Sequence, residues 1–223
     1  MSFLVQIKQL GKESLIYGFG ATLRQALMVI IAPFLTYIFL PEEYGILTLV
    51  QSLFAFILMF TSINIGSGVF FHYFDKKESK ADQRSILSTG YVFFIIMAAL
   101  MTVLAWVSAP LLNNLLSIRV DTTIYVNFIP YIRILAVGVF FSVMVEYFQI
   151  VLRILRKPLN YISVILFQVV VQLITILSLV FYLKMGLSGM FLANILSAML
   201  ASILAYILVK EYVDLSFSKP FFR

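Results

Sequence analysis

Three ionisable residues, Arg24, Arg133 and Glu146, lie inside long apolar stretches of this sequence. A charged side chain at the centre of a membrane helix costs about 2.5 kcal/mol or more unless it faces water, a cavity or a partner of opposite charge. The three residues therefore indicate either an ion pair between helices or a polar pathway through a membrane. In the pathway interpretation, Arg24 and Arg133 attract an anion that crosses between helices.

The ion-pair interpretation joins Arg24 to Glu146. The two residues should lie at similar depth, because their helices are expected to run in opposite directions. Arg133 would then extend its guanidinium towards the membrane surface. Arg133 and Glu146 are 13 positions apart, about 20 Å along a helix, so they cannot pair with each other. Both interpretations stay open, since Glu146 can hold Arg24 until an anionic substrate competes for it.

Glutamine side chains in the same stretches are further candidates for the lining of a polar cavity. Gln25 follows Arg24 directly, and Gln168 and Gln172 are spaced i,i+4, which places both on one face of a helix. Their ordinary role would be hydrogen bonding between neighbouring helices. The sequence does not decide between that role and contact with a ligand.

The composition indicates that the helices carrying these residues cross a membrane. Of the 223 residues, 62% are apolar and 12% are charged, whereas a soluble domain has about 25% charged residues. The predicted fold class is all-α, a polytopic membrane protein with six transmembrane helices in one bundle. Each predicted span is long enough to cross a hydrocarbon core roughly 30 Å thick. The six spans are Tyr17–Leu40, Ile46–Phe71, Ile86–Leu112, Ile124–Leu152, Leu159–Leu183 and Leu187–Val209.

Several other kinds of chemistry are not indicated. The sequence has no cysteine and a single histidine, His72, which excludes thiol catalysis and multi-histidine metal sites. The spans carry no pair of carboxylates, no nucleophile elbow and no phosphate-binding glycine loop. We therefore expect no enzyme activity, no metal and no cofactor. Most of the net charge of +6 comes from loops beside the spans, which does not indicate a nucleic-acid partner.

The distribution of lysine and arginine predicts the orientation in the membrane. With the N-terminus inside, the loops carry 12 basic residues on the cytoplasmic side and 2 on the outside. This bias predicts that both termini are cytoplasmic. Residues 1–14 are then a cytoplasmic lead-in, residues 15–210 the six-helix bundle and residues 211–223 a cytoplasmic linker. The same bias explains the basic loops without specific recognition of lipid headgroups.

The first span and the turn after it carry a family resemblance. Tyr17–Gly20 leads into a helix that contains Arg24 and Pro33 and ends in Leu40–Gly45. This stretch resembles the first helix of polysaccharide biosynthesis proteins, the flippases for lipid-linked O-antigen and capsule oligosaccharides in the multidrug/oligosaccharidyl-lipid/polysaccharide exporter superfamily. Shorter stretches agree with the same family further along the chain: Ile65–Gly68 with His72–Phe74, Arg84 with Ser88–Gly90, Leu152–Arg153 with Arg156–Lys157 and Tyr161, and Gly186–Gly189.

The resemblance implies a bacterial inner-membrane protein that flips a polyprenyl-pyrophosphate-linked oligosaccharide from the cytoplasmic to the periplasmic leaflet. In the family, cationic residues line a central cavity that receives the headgroup, and Arg24 carries this role over by position, Arg133 less directly. Family members have twelve to fourteen helices in two bundles, so the chain resembles the first bundle. Its partner would be a second bundle in the same full-length chain or, as an alternative, a second copy.

Two other functions are kept as alternatives. A multidrug or cation antiporter of the same superfamily would need an acid within the membrane, and Glu146 is the only candidate. A membrane glycan polymerase or acyltransferase is a third class. It usually requires a large periplasmic loop, whereas the longest predicted outside loop is Asn113–Thr123.

Overall fold

The computed structural model of the chain describes residues 3–62, 65–75, 80–119 and 127–214. All secondary structure in these ranges is helical. The π-helical turn Leu177–Tyr182 continues α6 directly. The helices are α1 (Phe3–Ile38), α2 (Pro41–Ser62), α3 (Ile65–Asp75), α4 (Lys80–Arg119), α5 (Ile129–Ile154), α6 (Pro158–Ile176) and α7 (Gly186–Val209).

Five segments of the described chain are long and apolar enough to cross a membrane. They are Pro41–Met59, Gln83–Leu116, Ile129–Ile154, Pro158–Tyr182 and Gly186–Val209. The first predicted span falls on α1, in which the shorter apolar segment Val29–Ile38 is found. The prediction of an all-helical, multi-pass membrane protein is confirmed by length and composition, and the count of six spans stays a prediction.

Two of the predicted spans include residues outside the described part. The span Ile46–Phe71 contains α2 as far as Ser62 and α3 from Ile65, and residues 63–64 between them are not described. The fourth span begins at Ile129 instead of Ile124. Residues 120–126 lie outside the described part, and Pro130 in the first turn favours a helix start at this point.

The turn between α1 and α2 is stabilised by the start of α2. Pro41 occupies the first helical position, where a missing N–H costs nothing. The Leu40 backbone N–H donates to Glu43 Oε2 over 3.1 Å, which is the acidic half of a capping box. Glu42 and Glu43 also interact favourably with the positive end of the helix dipole. The Leu40–Gly45 stretch thus has a structural role as the corner between α1 and α2.

Helix α5 lies at the centre of the bundle and packs against α4, α7 and α2, whereas α6 packs against α7 and α1. The largest fully buried side chain belongs to Tyr147 of α5. Its ring lies 4.7 Å from the Phe94 ring and 5.7 Å from the Tyr91 ring, centroid to centroid, and its hydroxyl donates to the Leu87 carbonyl. This contact fixes the spacing between α4 and α5.

The turn between α5 and α6 is a Schellman motif. The Lys157 N–H donates to the Leu152 carbonyl over 3.0 Å, and the Arg156 N–H donates to the Arg153 carbonyl over 3.1 Å. Arg156 has φ +51°, the left-handed conformation that this motif requires and that glycine adopts most easily. We call this end of the bundle, with the α5–α6 turn and the segment Lys210–Asp214 after α7, the basic end.

The segment after α7 is held against the basic end. Arg84 of α4 forms an ion pair with Asp214 over 2.7 Å, and the Asp214 N–H donates to Ser88 Oγ over 2.8 Å. Lys157 Nζ donates to the Tyr212 hydroxyl over 2.9 Å. Between these contacts the Val213 side chain is buried, with 2% of its surface exposed. The chain therefore leaves α7 along a fixed path.

Replacing Arg156 by glycine is expected to stabilise the protein slightly. A non-glycine residue in the left-handed region costs about 1–2 kcal/mol, and glycine loses about 0.5–1 kcal/mol more backbone entropy on folding, so the net gain is about 0.5–1 kcal/mol. Thermal unfolding in detergent should show a Tm increase of about 1–3 °C. Lys157→Gly, at φ −106°, is the control and should lower the Tm. An Arg156→Gly protein that melts earlier would contradict the assignment of strain.

Candidate binding cavity

A cavity of about 520 Å³ lies between α2, α5, α6 and α7. This volume is typical of small-molecule sites. Nine of the sixteen residues that line it are polar or charged: Gln51, Ser142, Glu146, Gln149, Arg153, Gln168, Gln172, Asn194 and Ser197. Polar side chains between membrane helices need partners, water or a ligand. The composition of the lining therefore indicates a binding site.

Each helix contributes its polar residues at helical spacing. On α5, Ser142, Glu146, Gln149 and Arg153 follow one another at intervals of four, three and four residues, which places them along one face. The residues of the other helices that meet this face are Gln168 and Gln172 of α6, Asn194, Ser197 and Ala198 of α7, and Gln51, Phe54 and Leu58 of α2. Four helix faces therefore meet at the cavity, and each carries at least one polar residue.

The cavity extends from the basic end into the middle of the bundle. Arg153 is the second-last residue of α5 and lies at the basic end. Gln172 is 14 residues after the start of α6, about 21 Å along the helix. On α5, Gln149 lies between Glu146 and Arg153, whereas Gln168, Gln172 and Asn194 lie deeper than these three residues.

Two amides differ in how their hydrogen bonds are satisfied. Gln172 Nε2 donates to Asn194 Oδ1 over 2.7 Å and links α6 to α7. Gln149 is buried, with 8% of its surface exposed, and its Nε2 has no hydrogen-bond partner among the described residues. Arg153 lies with its guanidinium carbon 5.9 Å from the centre of the Tyr161 ring. This contact orients Arg153 without using its N–H donors.

The predicted site residues are distributed unequally around this cavity. Glu146, Gln168 and Gln172 line it, whereas Gln25 is exposed on α1 and is not part of the lining. Arg133 is exposed near the other end of α5, with its guanidinium carbon 5.4 Å from the centre of the Trp106 ring. The backbone of Arg24 lies in α1, and its side chain is outside the described part of the structure.

The described lining carries one cation, Arg153, and one acid, Glu146, so its net charge is zero. The predicted excess of cations would need the side chain of Arg24, and it stays a prediction. So does the predicted pairing of Arg24 with Glu146. Arg133 does not line this cavity, and its cation–π contact with Trp106 is consistent with a guanidinium that extends away from Glu146.

Arg153 is the charged lining residue that the sequence analysis did not place in a cavity. It belongs to the basic turn after the fourth predicted span, at the end of an apolar run. Its spacing of seven residues from Glu146 and four from Gln149 was the available signal, since this spacing keeps all three on one helix face.

Comparison with known proteins adds information at the level of the fold. No protein-family profile matches the sequence, and no curated protein matches it. The structure is similar to the crystal structure of a MATE point mutant, with a TM-score of 0.81, 17% identity and coverage of 96% of this chain and 50% of that one. It is also similar to the outward-facing conformation of a multidrug resistance MATE family transporter of the MOP superfamily, with a TM-score of 0.80, 18% identity and coverage of 96% and 49%.

A third similar structure is a MOP superfamily transporter from Pyrococcus furiosus, described as having a binding pocket of reverse polarity that suggests a different function. Its TM-score is 0.73 at 18% identity, with coverage of 96% of this chain and 48% of that one. The chain thus spans about half the length of the three structures. The chain therefore has the fold of half of these structures.

Proposed function

We propose that the chain forms one helix bundle of a transporter that flips a polyprenyl-pyrophosphate-linked oligosaccharide across the bacterial inner membrane, for export of cell-surface polysaccharide. The fold of half a MOP superfamily transporter supports the transport step. The observation that carries the substrate class is the lining of the cavity, with five amide side chains and two serine hydroxyls.

The chemistry of this lining fits a sugar better than a drug-like cation. Amides and hydroxyls each offer a donor and an acceptor, as the hydroxyl groups of a sugar do. A large apolar cation is bound best by aromatic faces and unpaired acids. The described lining has one aromatic residue, Phe54, and its single acid, Glu146, is balanced in charge by Arg153.

Arg153 is the described cation available to the pyrophosphate. A guanidinium donates two parallel hydrogen bonds to a phosphate group, and these bonds are stronger where water is excluded. Arg153 lies where the cavity reaches the basic end, which we propose to be the cytoplasmic entrance. Arg24 on α1 is proposed as the second cation. Arg133, near the other end of α5, would meet the anion as it leaves the bundle.

Transport requires a second bundle, because alternating access arises when two halves rock around a central site. We propose that the second bundle follows in the same full-length chain, with a second copy of this chain as the alternative. The polyprenyl tail would remain in membrane lipid while the headgroup occupies the cavity. In this proposal both termini of the bundle are cytoplasmic, as the positive-inside bias predicts.

Arg153→Gln tests the proposed entrance. In cells that lack the gene and carry the full reading frame, we expect this variant to slow clearance of the lipid-linked oligosaccharide about tenfold. A hydrogen bond to a charged group contributes about 1.5–3 kcal/mol, so loss of one such contact has an effect of this size. The measurement is the amount of precursor that accumulates on the cytoplasmic leaflet, compared with the unaltered protein at equal membrane abundance.

Arg156→Gln is the matched control. Arg156 lies three positions further along, carries the same charge and is exposed, but it does not line the cavity. It should therefore leave clearance unchanged. Equal clearance by the Arg153→Gln and unaltered proteins would remove Arg153 from the pathway. Absence of any precursor in cells without the gene would contradict the proposed function as a whole.

A multidrug or cation antiporter is the second candidate, because Glu146 lies in the cavity and one similar structure is described as a multidrug resistance transporter. An acid within the membrane can carry a proton or a sodium ion and balance a cationic drug. In the same cells, this candidate would be established if loss of the gene causes drug sensitivity and expression of the Glu146→Gln variant does not remove it. Under the oligosaccharide proposal, drug sensitivity does not change.

A further inference from the structure

Gln149 is the one cavity amide with a fully buried N–H₂ group that has no hydrogen-bond partner among the described residues. Its side chain is more than nine-tenths buried and belongs to the polar face of α5. A donor in this position loses its bonds to water and gains none from the protein, which is unfavourable. Unsatisfied donors of this kind are rare in folded proteins and need an explanation.

The neighbours of Gln149 define what an occupant must offer. Glu146 lies one turn before it and Arg153 one turn after it, so an occupant beside Gln149 faces charges of both signs. Across the cavity, the hydrogen bond between Gln172 and Asn194 uses one donor and one acceptor of that pair. An amide group has two donors and an acceptor with two lone pairs. The pair therefore still offers the Asn194 N–H₂ and the Gln172 carbonyl oxygen.

Gln149 thus offers an unpaired donor beside the Glu146 carboxylate, and the Gln172–Asn194 pair, deeper in the cavity, offers both a donor and an acceptor. An uncharged group that accepts and donates at once is complementary to each of these two places. A hydroxyl group and an acetamido group both meet this requirement, whereas a phosphate offers only acceptors and an ammonium only donors. The Glu146 carboxylate also repels a phosphate beside Gln149, whereas a hydroxyl can donate to that carboxylate.

We infer that Gln149 is a specificity-determining residue, whose Nε2 donates to an uncharged oxygen of a sugar, either a hydroxyl or an acetamido carbonyl. This inference rests on the proposed function, and it divides the cavity into two parts. Arg153 receives the charged portion of the substrate, whereas Gln149, one turn away, and the deeper Gln172–Asn194 pair read its neutral sugars. The site should therefore reject a substrate without such an oxygen, because the Gln149 donor would stay unpaired.

Gln149→Leu tests the inference through two readouts that move in opposite directions. The full-length protein in detergent is dialysed against radiolabelled cellobiose, which has only hydroxyls, or diacetylchitobiose, which adds acetamido groups. We expect the variant to lose at least tenfold in affinity for the sugar that the unaltered protein binds. Its Tm without ligand should rise by about 2–4 °C, since the substitution removes an unsatisfied buried donor. A purely structural glutamine would lower the Tm on replacement.

Thr102→Val is the matched control. Thr102 of α4 also has a buried side-chain oxygen without a hydrogen-bond partner among the described residues, but it does not line the cavity. The Thr102→Val substitution should raise the Tm and leave sugar binding unchanged. Gln149→Met, an uncharged side chain of similar length, replaces Gln149→Leu if the leucine variant does not fold.

The outcomes separate the two proposals. If the unaltered protein binds a sugar and the Gln149→Leu variant binds it equally well, the role of Gln149 is overturned and the proposed function stands. Failure of the unaltered protein to bind either disaccharide overturns the inference that a neutral sugar is read here, whereas the proposed function is decided separately by precursor accumulation. Loss of binding to diacetylchitobiose alone identifies the acetamido carbonyl, and loss of binding to both sugars identifies a hydroxyl.

Discussion

Replacing Tyr147 by alanine is expected to destabilise the folded bundle strongly. Tyr147 has 0% of its surface exposed, and its ring contacts Phe94, Tyr91 and Phe148 at the junction of α4 and α5. Truncation of a buried aromatic side chain to alanine costs about 3–5 kcal/mol, whereas a whole domain is stable by about 5–15 kcal/mol. Thermal unfolding in detergent, with the yield of monodisperse protein, measures the loss.

Tyr147→Phe is the control for this prediction. It keeps the ring and removes the hydroxyl that donates to the Leu87 carbonyl, so it should cost about 1 kcal/mol. The two variants together separate ring packing from the hydrogen bond. A Tyr147→Ala protein that melts like the phenylalanine variant would show that α4 and α5 are held together elsewhere.

Arg24→Ala is expected to reduce oligosaccharide flipping to the level of cells that lack the gene. The sequence places Arg24 within the first apolar span, where a cation is costly and persists only with a function or a partner. Removing it should leave the pyrophosphate without the second of its proposed counter-charges as it crosses the low-dielectric interior. The measurement is again precursor accumulation, normalised to the amount of protein in the membrane.

Arg24→Lys separates charge from shape. It keeps the cation, so part of the flipping activity should return, although lysine lacks the bidentate geometry of arginine. If Arg24→Ala also lowers membrane abundance and Arg24→Lys restores it, the residue holds the bundle together as the partner of Glu146. Normal glycan export by a well-expressed Arg24→Ala protein would exclude both roles.

The helices of this fold were largely predictable from the sequence. A long apolar run gives a strong signal, because lipid leaves a spanning segment no choice except a helix with all of its backbone hydrogen bonds satisfied. The ends were less predictable. Asn113 caps the start of α5 by accepting a 2.8 Å hydrogen bond from the Phe128 N–H. That contact joins residues 15 positions apart and has no local pattern.

The cavity was predictable only in part, for a geometric reason. The spacing of Gln168 and Gln172 shows that they share a face, but a spacing cannot show which other helix that face meets. Arg133 and Arg153 illustrate the limit, since each lies near an end of α5. Their sequence contexts are similar, yet Arg133 contacts Trp106 and Arg153 lines the cavity. Which arginine is inside depends on how the helices pack around α5.

The contacts of Lys210–Asp214 have a mechanical consequence. Hydrogen bonds, an ion pair and a buried valine tie this segment to α4 and to the α5–α6 turn, so it has no slack. A displacement of this segment would therefore disturb α4 and the α5–α6 turn together, at the Arg153 end of the cavity.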